Sequence, residues 1–204
     1  MSSYRAFISF ALCAALAATA KLASAQADAP PALPPGPASY KVEPTHTFVT
    51  WEAKHFGTST SRGRFDKKDG SIDIDTIAKT GKAEIVIDMK SNSTGVGPFD
   101  KHLATKDFFN SDEFPTATFK GDKFKFEGDK VTEVAGTLTM LGKTLPLTLK
   151  ALAYNCYMSP MVKKQVCGGD FEATVKRSEY GMNYGVPFIP DNIKLLIQIE
   201  AIRQ

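Results

Sequence analysis

The sequence is poor in the residues and motifs from which most enzyme sites are built. It has three histidines and three cysteines in 204 residues. It contains no G-x-S-x-G, S-x-x-K or H-E-x-x-H motif and no glycine-rich phosphate loop. Asp73 and Asp75 share the polar face of an alternating segment, a pattern typical of ordinary solvent exposure. We therefore expect a protein that is not an enzyme.

The histidines are also poorly placed for a metal site. His46 and His55 are separated by an odd number of positions, so one regular strand would turn them to opposite faces. At about 3.3 Å per residue they would lie roughly 30 Å apart. His102 has no cysteine or carboxylate at ligand spacing beside it. We expect no metal ion and no cofactor, and we interpret His46 and His55 as caps of strand ends.

A large excess of charge of one sign is missing as well. The formal net charge is +3, and residues 1–25 contain Arg5 and Lys21 but no acid, so without them the charge falls to +1. A near-neutral chain with mixed signs has no electrostatic footprint for nucleic acid. The sequence therefore favours partners other than DNA or RNA.

The N-terminal segment predicts export. Arg5 precedes a mostly apolar run over residues 6–20, and small residues at positions 23 and 25 suit a signal peptidase. The run is shorter than the roughly 20 apolar residues that a transmembrane helix needs. We expect residues 1–25 to be a signal peptide that is cleaved after Ala25, and the alternatives are cleavage after Ala27 or an uncleaved anchor.

A proline-rich segment and two cysteines shape the rest of the mature chain. Residues 26–39 contain five prolines among small residues, and such a segment cannot bury enough apolar surface to fold. We expect an extended linker there, followed by one domain over residues 40–204. Cleavage of the signal peptide removes Cys13, so that Cys156 and Cys167 remain. In an oxidising compartment we expect these two to form a disulfide across a hairpin loop.

Alternation of apolar and polar residues dominates the sequence from Tyr40 onward. The longest series occupies the odd positions from Leu145 to Ala153, and turn signals such as Gly128-Asp129 separate seven or eight such runs. One-sided strands joined by short turns predict an all-β protein, with an antiparallel sheet that closes into a barrel or stacks as a sandwich.

One stretch breaks the alternation. Pro98 suits a helix start, and Phe99 and Leu103 have helical spacing, which predicts a short helix from about Pro98 to Thr105. Phe108 and Phe109 continue its apolar character. The stretch is either a lid over a barrel mouth or a satellite cluster packed on the sheet, and packing is the simpler interpretation.

Five groups of motifs, in this order, resemble the YceI-like family. They are H-T-F-V-T-W-E-A-K-H-F-G at residues 46–57 with G-R-F at 63–65, D-K-H-L at 100–103 with D-F-F at 107–109 and F-P-T-A-T-F at 114–119, G-T-L-T-M at 136–140, F-E-A at 171–173 with R-S-E-Y-G-M at 177–182, and D-N-I-K-L at 191–195. The resemblance covers residues 40–204. The proline-rich linker and the segment between Cys156 and Cys167 do not belong to the family pattern.

The resemblance implies an extended, lipocalin-like, eight-stranded antiparallel β-barrel with a short helix in a long loop. It also implies a periplasmic, non-enzymatic protein that binds a polyisoprenoid or other long-chain amphiphile in a tunnel. An isoprenoid chain, a quinone precursor and a fatty amide are candidate ligands. Homodimers are common among such barrels, and a carrier also meets membranes or membrane enzymes in passing. The alternative is a docking module whose barrel is filled, since an alanine-containing wall suits both designs.

Alternation and residue chemistry select the candidate site. The predicted tunnel wall consists of Val49, Trp51, Phe119, Leu138, Met140, Phe171 and Val175. Arginine pairs bidentately with phosphate or carboxylate, so the candidates for holding a ligand head group at the rim are Arg62, Arg64 and Arg177.

Overall fold

The computed structural model describes residues 36–204 of the chain. The predicted signal peptide and most of the predicted linker lie outside the described residues. The first strand begins at Pro37, three residues before the predicted start of the domain. Proline is acceptable there because the first position of a strand does not need its N–H in the ladder. Within residues 36–204, no helix has the length and apolar character needed to cross a bilayer.

Residues 36–204 form eleven strands, one α-helix and two short 3-10 helices. They are β1 (Pro37–Val42), β2 (Phe48–His55), β3 (Ser59–Phe65), β4 (Lys68–Asp75), β5 (Thr80–Asp88), a 3-10 helix (Met89–Ser91), β6 (Asn92–Ser93), α1 (Gly97–Leu103), β7 (Thr116–Glu127), β8 (Lys130–Met140), β9 (Lys143–Met158), β10 (Gln165–Lys176), a 3-10 helix (Arg177–Tyr180) and β11 (Asn192–Arg203).

The strands close into an antiparallel barrel of eight long strands, which confirms the predicted fold. Three of the long strands are bent, so that β1 and β2, β3 and β4, and β5 and β6 are halves of one strand each. The barrel closes because β11 pairs with both halves of the first strand. Its residues 194–198 pair with β2, and its residues 201–203 pair with β1.

Successive connections lie at opposite ends of this up-and-down barrel. One end carries the β2–β3 turn, the segment from α1 to β7, the β8–β9 turn and residues 177–191. We call it the mouth. The other end carries the β4–β5, β7–β8 and β9–β10 turns, and we call it the closed end, because the residues that line the interior there are buried or half-buried.

The predicted alternation places the apolar core inside the barrel, with one exception on β9. Ala151 pairs with Phe171 and Ala153 pairs with Asp170, so Leu152 is an extra residue that forms a β-bulge. Beyond a bulge the faces of a strand exchange. Ala153, predicted to face inward, is therefore exposed, whereas Tyr154 turns into the barrel.

Candidate functional site

The interior of the barrel is a cavity of about 590 Å³. Its lining extends from Tyr40 and Val131 at the closed end to Phe56 and Phe188 at the mouth. Most of the lining side chains are aliphatic or aromatic, and they come from every long strand of the barrel. The volume lies in the range of about 300 to 1,000 Å³ that is typical of small-molecule sites.

All seven predicted wall residues line this cavity, and all seven are buried. Trp51 shows how the wall is built, because its Nε1 donates a hydrogen bond to Asn92 Oδ1 over 2.8 Å and the buried indole N–H is thereby paired. Its ring lies over Gly63, where any side chain would overlap the indole. The G-R-F motif therefore begins with glycine so that Trp51 can pack against the sheet.

The mouth is aromatic and partly exposed. Every exposed residue of the lining lies there, including Phe56, Tyr184 and Phe188, which are 61%, 55% and 69% exposed. The rings of Phe56 and Phe188 stack across the opening with their centroids 6.3 Å apart. Alternation did not predict these rim residues, because they lie in turns outside the strands.

The helical segment forms one side of the mouth. The ring of Phe99 on α1 lies 6.4 Å from that of Trp51, and Phe109 lies 5.3 Å from Phe65. Both side chains also line the cavity, as does buried Leu103. The segment is thus packed on the sheet, in agreement with the interpretation as a satellite cluster. Its side chains also form part of the cavity wall.

The closed end contains polar groups that sequence analysis missed. Tyr40 and Tyr154 line the cavity beside the predicted disulfide of Cys156 and Cys167, which is present in the structure. Burial raises the pKa of both phenols. The alternation of Tyr40 with Val42 gave a signal for Tyr40, but the bulge on β9 concealed Tyr154.

Two of the three head-group arginines point away from the cavity. Arg62 is exposed and its Nε lies 2.6 Å from Glu52 Oε1 on the outer face. Arg64 Nε lies 2.6 Å from Asp66 Oδ1, and its guanidinium lies over the Phe48 ring. Both arginines occupy the outward positions of β3, so neither is placed to hold a head group at the rim.

The third, Arg177, is buried and holds protein rather than ligand. It is 3% exposed, and its guanidinium donates hydrogen bonds of 2.8 to 3.0 Å to four backbone carbonyls. These acceptors belong to Met182, Tyr184, Ile189 and Pro190. Burial lowers the pKa of Arg177, but guanidinium stays charged throughout the physiological range. Its role is to fix the segment between β10 and β11 at the mouth.

The histidines are dispersed. His46 Nδ1 lies 2.7 Å from Glu43 Oε2 next to the bend between β1 and β2, while His55 and His102 line the mouth. Residues 36–204 contain no group of three or more histidine, cysteine or acidic side chains placed to hold a metal ion.

Known proteins are similar to this chain in sequence and in fold. A UPF0312 protein of Pseudomonas paraeruginosa is 34% identical over 170 residues, which cover 82% of this chain and 88% of the relative. The crystal structure of a Campylobacter jejuni YceI protein matches with a TM-score of 0.62 and 26% identity, over 74% of this chain and 90% of that one. A domain from Saccharophagus degradans matches with a TM-score of 0.58 at 16% identity, over 82% of this chain and 99% of that one, which is a likeness of fold.

The family model gives the same result. The YceI-like domain matches residues 40–201, which span the barrel from the fourth residue of β1 to within two residues of the end of β11. The matched region includes all seven wall residues and the polar closed end. The chain belongs to the YceI-like family.

Proposed function

We propose that this protein binds a long-chain apolar molecule of the polyisoprenoid kind in its barrel, carries it, and does not transform it. The observation that supports the proposal most directly is the continuous apolar cavity, which extends from the aromatic mouth to the closed end. A docking module with a filled barrel would have no need of such a space, so the cavity favours the carrier over that alternative.

The size of the cavity suits a slender chain. At roughly 30 Å³ for each water-sized group, 590 Å³ accommodates about 20 methylene-sized groups. Burial of one CH2 contributes about 0.8 kcal/mol, so an isoprene unit contributes roughly 3 to 4 kcal/mol. A few units therefore offset an association cost of about 4 to 15 kcal/mol. Such binding needs little polar recognition.

The relatives support the same ligand class. The structural neighbour from Saccharophagus degradans is described as a polyisoprenoid binding domain. Its barrel resembles this one in fold, and we extend its ligand class to this chain because most of the side chains that line the interior here are aliphatic or aromatic.

A chain-length series tests the proposal. Delipidated protein is titrated with prenyl alcohols of increasing length, and affinity is expected to rise steeply with each isoprene unit. The gain should level off near the capacity of about 20 carbons, because further units protrude into water through the mouth. No detectable binding at any length would refute the carrier function.

Matched variants locate the ligand. Leu138→Glu or Phe119→Glu puts a charge into the apolar wall and should abolish binding. Thr137→Glu places the same charge at the neighbouring outward position of β8 and should leave binding intact. Circular dichroism identifies the charged-wall variant that remains folded. Lipid retention by that variant would place the ligand outside the barrel.

We also propose export to the periplasm with cleavage after Ala25. The apolar run at residues 6–20 supports this, and so does the Cys156–Cys167 disulfide, since such bonds persist in oxidising compartments. N-terminal sequencing of protein from the periplasmic fraction should begin at Gln26. A chain that keeps Met1 and stays in the cytoplasm would contradict the proposal.

A further inference from the structure

Two tyrosines interrupt the apolar lining at the closed end. Tyr40 on β1 is 2% exposed, and Tyr154 on β9 is half-buried. Both side chains line the cavity. They belong to a small cluster with the Cys156–Cys167 disulfide. The other aromatic residues of the deep half, such as Phe119 and Phe124, carry no polar atom.

The hydroxyl groups of these tyrosines have weak partners in the protein. Tyr40 Oη donates to Gln165 Oε1 over a long 3.3 Å and lies 3.7 Å from Sγ of Cys167. Among the described residues, the one hydrogen-bonding contact of Tyr154 Oη is Sγ of Cys156 at 4.0 Å. A disulfide sulfur has no proton and is a poor acceptor. A buried hydroxyl without a strong partner costs about 1 to 3 kcal/mol, so a ligand that supplies an acceptor is favoured here.

The backbone sets this arrangement. Without the bulge at Leu152, regular alternation would turn Tyr154 to solvent together with Leu152. The disulfide joins Cys156 to Cys167, which is its direct partner across β9 and β10, and so fixes the strand two residues beyond Tyr154. The tyrosine is thereby held in the cavity by covalent and backbone constraints.

The charges around the cavity select the kind of head group. The cationic side chains of the lining, Lys54 and Arg177, lie at the mouth, and Arg177 is engaged by backbone carbonyls. Burial raises the pKa of Tyr40 and Tyr154, so both phenols are neutral donors at neutral pH. The lining of the closed end contains no cationic side chain, and Arg203, the cross-strand partner of Tyr40, lies outside that lining. An anionic phosphate would therefore be buried there without a direct countercharge, which is unfavourable. A neutral oxygen atom needs none.

We propose that Tyr40 and Tyr154 form a polar subsite that takes the neutral, oxygen-bearing end of a long-chain ligand, such as a hydroxyl, quinone carbonyl or amide group. The polar end then lies at the closed end of the barrel and the hydrocarbon tail extends towards the mouth. This inference rests on the proposed lipid binding and narrows its ligand to neutral amphiphiles.

Phytol and phytane provide the test, because they share a branched hydrocarbon skeleton and phytol alone carries a hydroxyl group. Affinities are measured for the wild type, for the double variant Tyr40→Phe/Tyr154→Phe, and for Tyr157→Phe. Tyr157 lies on the outer face of β9, where its hydroxyl donates to Glu200, so its variant controls for loss of a phenol. The wild type should prefer phytol about 5-fold or more, as expected for one or two hydrogen bonds.

The double variant should lose this preference, because its affinity for phytol falls while its affinity for phytane stays the same. The Tyr157→Phe variant should keep the preference. Phytyl phosphate should bind the wild type and the double variant equally. Three results would overturn the subsite and leave lipid binding intact. The wild type could bind phytol and phytane equally, or the double variant could still prefer phytol. The double variant could also bind phytyl phosphate more weakly than the wild type does, by the same factor as for phytol. Failure of the wild type to bind any of the three lipids would overturn the carrier function itself.

Discussion

At the scale of single residues, Arg177 fixes the mouth. Its guanidinium bridges four carbonyls of residues 182–190 while almost fully buried. Arg177→Lys keeps the charge but cannot reach four acceptors with one ammonium group. We expect a loss of about 2 to 4 kcal/mol in the free energy of unfolding, measured by urea titration.

Arg62→Lys is the matched control for that variant. Arg62 pairs with Glu52 on the exposed face, where an ion pair contributes about 0 to 1 kcal/mol. Its urea curve should nearly overlay that of the wild type. Equal losses for the two lysine variants would show that the carbonyl contacts of Arg177 contribute no more than a surface pair.

Glu43 fixes the bend between β1 and β2 in a similar way. Its carboxylate accepts hydrogen bonds from the backbone and side chains of Thr45 and His46. Burial raises the pKa of Glu43, but these hydrogen bonds outweigh it and bring the pKa to about 2. A depressed pKa stabilises the folded state above the unfolded value, and the contribution is lost as the pH falls towards the folded value.

Glu43→Gln should therefore lower the free energy of unfolding at neutral pH by about 1 to 2 kcal/mol. The difference between variant and wild type should shrink as the pH falls from about 4.5 towards 2, because Glu43 of the unfolded wild-type chain binds a proton in this range while the folded protein resists protonation until the pH is near 2. Urea unfolding at several pH values provides the comparison. A difference that stays constant across this window would show that Glu43 is not linked to acid stability.

At the scale of elements, the bulge on β9 marks a limit of sequence reasoning. Alternation has a period of two, so one inserted residue reverses every later assignment on a strand. The apolar series from Leu145 gave no sign of the insertion, because Leu152 and Ala153 are both apolar. The predicted wall residues on β2, β7, β8 and β10 line the cavity because none of them lies beyond an inserted residue that the alternation failed to show.

The role of Arg177 was beyond sequence reasoning for another reason. A charged residue near a predicted rim suggests a contact with the ligand. The sequence does not show which backbone carbonyls surround such a residue, so it cannot reveal that the protein itself supplies the partners. The four acceptors come from a segment without regular structure, and their positions depend on the fold of that segment. The fold was predictable because the alternation of apolar and polar residues repeats along the chain. Each polar contact at the two ends of the barrel occurs only once, so no repeating pattern in the sequence indicates it.

The strand pattern also allows the cavity to be shortened deliberately. Ala117 on β7 is buried and lines the cavity, so Ala117→Phe puts a phenyl ring into it. The ring occupies space for about six carbons, and the variant should bind the longest prenyl alcohols less tightly by at least 10-fold. Displacement of a fluorescent fatty-acid probe by the prenyl alcohols measures the change in affinity.

Thr116→Phe is the control for Ala117→Phe, because Thr116 is the preceding, exposed residue of the same strand. It adds the same ring to the outer face and should leave affinity unchanged. Unaltered binding in the Ala117→Phe protein, with its melting temperature preserved, would place the ligand away from this part of the wall.

At the scale of the whole molecule, the barrel is open and aromatic at one end and buried at the other. The opening is lined by exposed aromatic side chains, and the deep end by tyrosines and a disulfide. Because only one end of the barrel is open, an elongated ligand can enter only through the mouth. In the proposed carrier, the ligand would exchange at the mouth and be retained in the interior.

Native mass spectrometry of the mature protein, purified under mild conditions and followed by organic extraction, tests the carrier function most directly. We expect the folded protein to carry one additional mass, and the extract to contain one neutral long-chain lipid that Leu138→Glu does not retain. A protein that purifies without added mass, and takes up no prenyl lipid when the lipid is supplied, would contradict the proposed function.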